Sequence, residues 1–328
     1  MKIVAMANGG FAVPALRAIQ KSNHELIAVV AMPDRVKGKR AQASRSPVRV
    51  AVENNEFPGV PFYDPENINA SEGVELVRSL NADVIFICDY GRILSKELLE
   101  ATRLGGVNLH GSLLPKYRGA APINRAIQAG ERTLGVSVIF IEPTVDSGPV
   151  VAVASYEPSL EDTAVEIEER LAAMGAPLVV NALDQIERGA VAPIPQDSAA
   201  VTKAPKLKKE EGKINWSSSG AEIIDAYRAF QPWPRVYSDW AKGDASDAAP
   251  TRLILGPFSS DNLEELAAVP DWEDKSCGEV VRVTKSSLWV RVGDGALKVC
   301  AAQPAGKKQL KIEDFLRGYQ VRVGDRFE

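Results

Sequence analysis

Apolar residues in the first half of the chain fall into two alternating kinds of run. KIVAMA (2–7), ELIAVVAMP (25–33), ADVIFICDY (82–90), GVNLHG (106–111) and GVSVIFIEP (135–143) are short and nearly continuous. FAVPALRAIQKS (11–22), SPVRVAVENN (46–55), SEGVELVRSL (71–80) and APINRAIQAG (121–130) lie between them and carry helical spacing or helix-start signals. Ser46-Pro47 marks one helix start and Ser71 is placed to cap another. Strands that are apolar on both sides fit a sheet covered on both faces. The alternation predicts a Rossmann-like, doubly wound α/β domain with a mostly parallel sheet.

DTAVEIEERLAAMGAPLVVNALDQIERG (162–189) reads as one long helix. Residues 190–212 are then rich in Pro, Ala and Lys, as a linker is. GAEIIDAYRAF (220–230) is a helix with a cap near Ser219. From about 250 the pattern becomes short strands with Gly turns, including a hairpin signal at Gly293-Asp294-Gly295. This predicts a C-terminal OB-like antiparallel β-barrel. The expected organisation is a catalytic domain over 1–190, a linker over 191–212 and a second domain over 213–328.

With 328 residues, two domains suit the length. No apolar run approaches the ~20 residues that span a bilayer, and the N-terminal stretch lacks a secretory pattern. Three widely spaced cysteines form neither a disulfide framework nor a zinc pattern, so the expectation is a reducing cytoplasm and no metal. A monomer is expected. The net charge of −4 argues against general polyanion binding. Locally, however, residues 35–49 carry six Lys/Arg and no acid, and residues 203–213 carry five Lys against two Glu. Two basic patches on an acidic chain suit contact with a large anion, although solvated loops would look the same.

The chain has two histidines. One of them, His110, lies at the end of a strand-like run, two residues after Asn108. On a strand the two side chains share a face. Two donors aimed at one point make an oxyanion site. Asp146, 36 residues further on and after the next strand, can orient the imidazole and balance its charge. No Ser lies in a nucleophile elbow and no Cys lies near the histidine. The pattern therefore favours direct attack by one substrate on another. Three satisfied structural groups remain the plain alternative.

The residues VNLHGSLLPKYRGAAPINRAIQAGERTLGVSVIFIEPTVDSG (107–148) resemble the signature region of the methionyl-tRNA formyltransferases, among the enzymes that use 10-formyltetrahydrofolate. The likeness extends to PDRVKGKRAQASRSPV (33–48), LKKEEGKINW (207–216), FQPWPR (230–235) and QPAGKK (303–308). It implies formyl transfer to the α-amine of methionine on initiator tRNA, for translation initiation. Asn108, His110 and Asp146 would be catalytic. Ser112, Leu113, Leu114 and Pro115 would contact the folate. Arg35, Lys37, Lys39 and Arg40 would meet the tRNA acceptor end, and the C-terminal domain, with Lys206, Lys208 and Lys209 at its entry, would help grip the stem.

The sequence departs from the family pattern at three places. Asn8-Gly9-Gly10 stands where the family has a Gly-Thr-Pro-like turn, Asp89 replaces a small residue before Tyr90-Gly91, and Pro149 replaces an acidic residue. A sugar-nucleotide formyltransferase, a formyl hydrolase and a non-enzymatic tRNA binder remain rivals. The match at FQPWPR and QPAGKK favours the tRNA enzyme. The aromatic stretch FQPWPRVYSDW (230–240) reads as an apolar seam in preference to a base-stacking surface.

Overall fold

The computed structural model describes residues 1–34, 45–241, 250–261, 266 and 269–328. The basic residues Arg35, Lys37, Lys39 and Arg40 lie outside them. The chain divides into two compact units. The first comprises residues 1–123, 133–158 and 166–206; the second comprises 124–132, 159–165 and 207–328.

Over residues 2–204 the elements are β1 (Lys2–Ala7), α1 (Val13–Gln20), β2 (Glu25–Val30), α2 (Pro47–Glu53), β3 (Phe62–Tyr63), α3 (Ser71–Ser79), β4 (Val84–Cys88), α4 (Lys96–Leu99), β5 (Gly106–His110), β6 (Arg118–Gly119), α5 (Pro122–Gln128, mostly of the second unit), β7 (Leu134–Phe140), β8 (Val150–Tyr156), α6 (Ala164–Glu187) and β9 (Lys203–Ala204). Seven strands form one sheet in the order β3-β2-β1-β4-β5-β7-β8. The first five are parallel, β7 runs against them, and β8, antiparallel to β7, returns to their direction. Val4, Met6, Val30, Ile85 and Ile87 pack with Val74 and Val77 of α3 and Leu98 of α4. Leu109 points to another helix: a Cβ on Gly175 of α6 would lie 2.8 Å from its Cδ2, so glycine there admits close packing.

The helix-start signals hold in two of three places. Ser46 accepts from the Arg49 N–H, and Ser219 forms a reciprocal capping box with Glu222. Ser71 is instead the first helical residue, and the cap position falls to Ala70, which has no side-chain oxygen to offer.

The second unit adds α7 (Gly220–Ala229) and the strands β10 (Tyr237–Ala241), β11 (Thr251–Leu255), β12 (Phe258–Ser259), β13 (Val280–Val283), β14 (Leu288–Val292), β15 (Gly295–Val299), β16 (Ala301–Pro304) and β17 (Leu310–Lys311), with α8 (Ile312–Gly318) and β18 (Arg326–Phe327) at the end. They form two antiparallel sheets, β17-β16-β11-β10-β18 and β12-β15-β14-β13. Each of β11 and β15 runs into a strand of the other sheet. At the opposite margin a single Glu279–Arg326 bridge ties β13 to β18. Among the described residues the ladders do not close into a continuous barrel. Gly293-Asp294 makes the turn of the β14–β15 hairpin. Within the aromatic stretch, Trp240 is buried and donates to Asp325 Oδ2 at 3.0 Å, whereas Trp233 is 52% exposed. Among the described residues no helix is long and apolar enough to cross a membrane.

One buried ion pair anchors α7. Arg228 donates to Asp225 Oδ1 at 2.8 Å and to the carbonyls of Asp162 and Ser159. Deleting one partner strands a charge out of water. Asp225→Ala should cost about 3–5 kcal/mol by urea denaturation, and Asp225→Ala/Arg228→Met much less. Equal losses would show that packing decides instead of the unpaired charge.

Candidate active site

Sheet order reverses between β1 and β4, and ligands of open α/β sheets bind beyond the carboxyl ends of strands at such a point. Three loops meet this side of the first unit. They follow β1 (Asn8–Gly10), β4 (Asp89–Gly91) and β5 (Gly111 onward).

β5 carries the first two candidates. Asn108 pairs in register with Ile87, and His110 closes the strand. Leu109 between them turns to the opposite face, so Asn108 and His110 share one side. The His110 side chain is only 6% exposed. Its Nε2 lies 2.9 Å from the Tyr117 carbonyl. A carbonyl only accepts, so Nε2 carries a proton and Nδ1 is the nitrogen left for chemistry.

Asp146 reaches this pair by a route the strand pattern does not suggest. β7 runs antiparallel to β5, with Phe140 opposite Val107 and Ser137 opposite His110. The carboxyl end of β7 therefore lies beside the start of β5, away from the histidine. Residues 141–148 double back, and the excursion is closed by Phe140 N–H donating to the Pro149 carbonyl at 3.1 Å. Asp146 then lies with Oδ1 3.4 Å from Asn108 Nδ2 and Oδ2 3.6 Å from His110 Nδ1. Its backbone is left-handed, φ 53°, a conformation that non-glycine residues hold only when their surroundings over-determine it. Here the Gly119 N–H donates to Oδ2 at 2.8 Å, and Gln196 Nε2 donates to the Asp146 and Gly148 carbonyls at 2.8 and 2.7 Å. Gln196 and its partner Arg118 escaped the sequence reading. Gln196 opens a short polar run, Gln196-Asp197-Ser198, in a Pro/Ala-rich stretch, which gives no local sign of its partners.

The SLLP turn is built largely for itself. Ser112 is buried and donates to the Lys116 carbonyl at 2.7 Å. Ser137 Oγ donates to the Ser112 carbonyl and accepts from Leu114 N–H. Leu114 is buried, while Leu113 and Pro115 keep partial exposure.

Two departures from the family pattern fit each other. A Cβ on residue 9 would lie 2.4 Å from Asp89 Oδ2, so Gly9 makes room for the carboxylate of Asp89. Asn8 accepts from the Met32 N–H at 3.2 Å and ties its turn to the strand beside it. Asp89 is open to solvent on one side but hemmed in by protein elsewhere. That desolvation raises its pKa above the ordinary aspartate value, moderated by His110. Glu168 is raised too, through burial and then the Asp89 charge. Cys88, fully buried, has its thiol pushed well up by burial, so it is no nucleophile.

Lys206, Lys208 and Lys209 are exposed. Glu211 nearby is held below the usual glutamate range, chiefly by its hydrogen bond from Arg125, and its charge is thereby matched. Elsewhere, His24 Nε2 lies 3.2 Å from Asp184 Oδ1, and Glu187 accepts from the Met1 ammonium at 2.8 Å. That ammonium also lies 3.2 Å from His24 Nδ1 and thus occupies the side of the trio that His24 and Glu187 share.

The Asp146 loop has little steric freedom. A Cβ on Gly148 would lie 1.8 Å from the Phe140 carbonyl oxygen, which is backbone and cannot swing aside. Gly148→Ala should therefore destabilise the protein by about 1–3 kcal/mol. In its crystal structure Asp146 should stand further from His110 than 3.6 Å; an unmoved carboxylate would refute the steric argument.

Comparison with known proteins agrees with the geometry. A family model described as formyl transferase matches residues 1–183, and one described as formyl transferase, C-terminal domain, matches residues 206–320. A methionyl-tRNA formyltransferase of Magnetococcus marinus is 34% identical over 325 residues, 99% of this chain and 97% of that one. One of Sulfurihydrogenibium sp. is 33% identical over 331 residues, 100% of both chains. Among solved structures, an N-formyltransferase from Helicobacter canadensis, in complex with folinic acid and dTDP-3-aminofucose, superposes with a TM-score of 0.60 at 17% identity, over 92% of this chain and 98% of that one. HypX from Aquifex aeolicus, in complex with tetrahydrofolic acid, gives a TM-score of 0.59 at 16% identity over 98% of this chain, which spans 48% of that longer one. At such identities the structures speak to the fold, whereas the sequence matches run end to end: the chain belongs to the formyl transferase family.

Proposed function

We propose that the chain transfers the formyl group of 10-formyltetrahydrofolate to the α-amine of methionine carried by initiator tRNA, giving N-formylmethionyl-tRNA, in the cytoplasm where translation begins. The observation that carries this reading is the gathering of Asn108, His110 and Asp146 around one point at the end of β5. The full-length relatives named for methionyl-tRNA support the choice of acceptor.

The chemistry follows from which atoms are committed. An N-formyl folate is already activated, and the amine attacks once neutral; an α-amino group titrates near ~8, so part of it is ready at neutral pH. As the new C–N bond forms, charge develops on the formyl oxygen. Asn108 Nδ2 has a second hydrogen beyond the long contact with Asp146 and can donate it there. His110 Nδ1 takes the proton that the amine sheds and returns it to the departing folate nitrogen. Asp146 stabilises the imidazolium in between. One C–N bond forms, one breaks, and the protein ends unchanged. Of the SLLP turn, Leu113 and Pro115 have surface left to meet the folate, while Ser112 and Leu114 shape the turn. Lys206, Lys208 and Lys209 would meet RNA phosphates, as would Arg35, Lys37, Lys39 and Arg40.

The test is transfer of labelled formyl to methionyl-initiator tRNA. His110→Ala and Asn108→Ala should each lose about 10²–10³-fold in rate. Wild-type rates in either variant would remove that residue from the mechanism. Formate release without acceptor, and no transfer, would instead make the protein a hydrolase. Replacing Lys206, Lys208 and Lys209 with Ala should lower the slope of log affinity against log salt by about one per lysine. An unchanged slope would take these lysines out of the RNA contact.

A further inference from the structure

Residues 194–204 have the composition of a linker, yet at 194, 196, 202 and 204 they are hydrogen-bonded to the start of β8 and to the two loops that flank the site. Ile194 and Val150 exchange backbone hydrogen bonds at 2.8 Å each. Gln196 bridges the Asp146 and Gly148 carbonyls through Nε2, while its Oε1 accepts from Arg118 Nε and Nη2 at 3.0 and 2.7 Å. The Thr202 hydroxyl accepts from Tyr117 N–H at 2.8 Å, and the Thr202 carbonyl accepts from Arg118 N–H at 2.9 Å. The Ala204 carbonyl accepts from the N–H groups of Ala120 and Ala121. β9 thus pairs with β6. The approach is so close that a Cβ on Gly119 would lie 2.6 Å from the Ala204 oxygen.

Both loops deliver a partner to the catalytic pair. The 117–121 loop supplies the Tyr117 carbonyl to His110 Nε2 and the Gly119 N–H to Asp146 Oδ2. The 141–149 loop supplies Asp146 itself. Tyr117, Gly119 and Asp146 all have positive φ, at 60°, 128° and 53°. Glycine takes such a φ freely, but Tyr117 and Asp146, one in each loop, need an outside restraint. We propose that residues 194–204 are a strap that supplies it, with Gln196 as a positioning residue that acts through Asp146. Gln196 is suited to the task because its amide is bifunctional. Arg118 fixes its oxygen end in a planar fork, which turns both N–H groups toward the two loop carbonyls.

The activity arm of the test rests on the formyl-transfer reading; the structural arm does not. Gln196→Glu keeps the size and the Arg118 partner but sets an oxygen against two carbonyls. Gln196→Met removes the hydrogen bonds without adding charge and serves if the Glu variant folds poorly. Either should lower kcat about 10–100-fold with little change in KM for the folate. In an Asp146→Ala background the same substitution should add almost nothing, since its route is already cut. Hydrogen exchange of residues 141–149 should speed up in the single variants, while the β1 and β4 peptides keep their protection. Additive losses with Asp146→Ala, or unchanged exchange in the loop, would overturn the proposal. Should the wild type transfer no formyl, the proposed reaction falls, and the exchange result alone decides the strap.

Discussion

The site depends on holding one carboxylate against one imidazole from an unhelpful direction. Asp146 belongs to a strand pair whose polarity carries the chain away from His110, so a loop must bring it back. A loop of eight residues has many conformations, and fixing the backbone of each costs about 1–2 kcal/mol of entropy. The Phe140–Pro149 hydrogen bond, the crowding at Gly148 and the Gln196 amide offset that cost and leave one arrangement. The same carboxylate accepts from Gly119 N–H and contacts Asn108, so it is the node through which β5, the 117–121 loop and the 141–149 loop share a geometry.

Much of this was legible before the coordinates. Nearly continuous apolar runs mark the strands β1, β2 and β4, GVNLHG reads as a further strand, and the i, i+2 spacing places Asn108 and His110 on one face. The direction of β7 was not legible, because an apolar run such as VSVIF reads the same whichever way it enters a sheet. The pattern argues for a mostly parallel sheet, and that holds: β7 runs against the other six strands of this sheet. The strap was illegible for another reason. Its restraints run mostly through backbone groups of Ile194, Thr202 and Ala204, and a side-chain pattern does not record where a carbonyl points. Proline and alanine look like linker composition whether the segment is free or pinned.

The departures at Gly9 and Asp89 show a different kind of legibility. Each looked like an isolated departure from the family pattern. In three dimensions they face each other, and the side chain missing at residue 9 leaves the space that the Asp89 carboxylate fills. Asp89, raised by its surroundings, and Glu168, raised partly by Asp89, place two carboxyl groups of reduced acidity on the side that also holds His110. The departure at residue 9 and the one at residue 89 are therefore one local adjustment.

Among the described residues, the packing also leaves the thiol and hydroxyl groups of Cys88, Ser112 and Ser137 unsuited to act as nucleophiles. Cys88 lies one residue before Asp89, yet full burial in β4 disfavours its thiolate. Ser112 and Ser137 have hydroxyl groups committed to carbonyls within the turn. Among the described residues, the candidate set near His110 offers one imidazole nitrogen, one amide hydrogen of Asn108 and the Asp146 carboxylate to balance charge. Such a set cannot form an acyl-enzyme. It can hold two substrates together and move a proton between them, and direct transfer from an activated N-formyl donor to an amine needs no more than that.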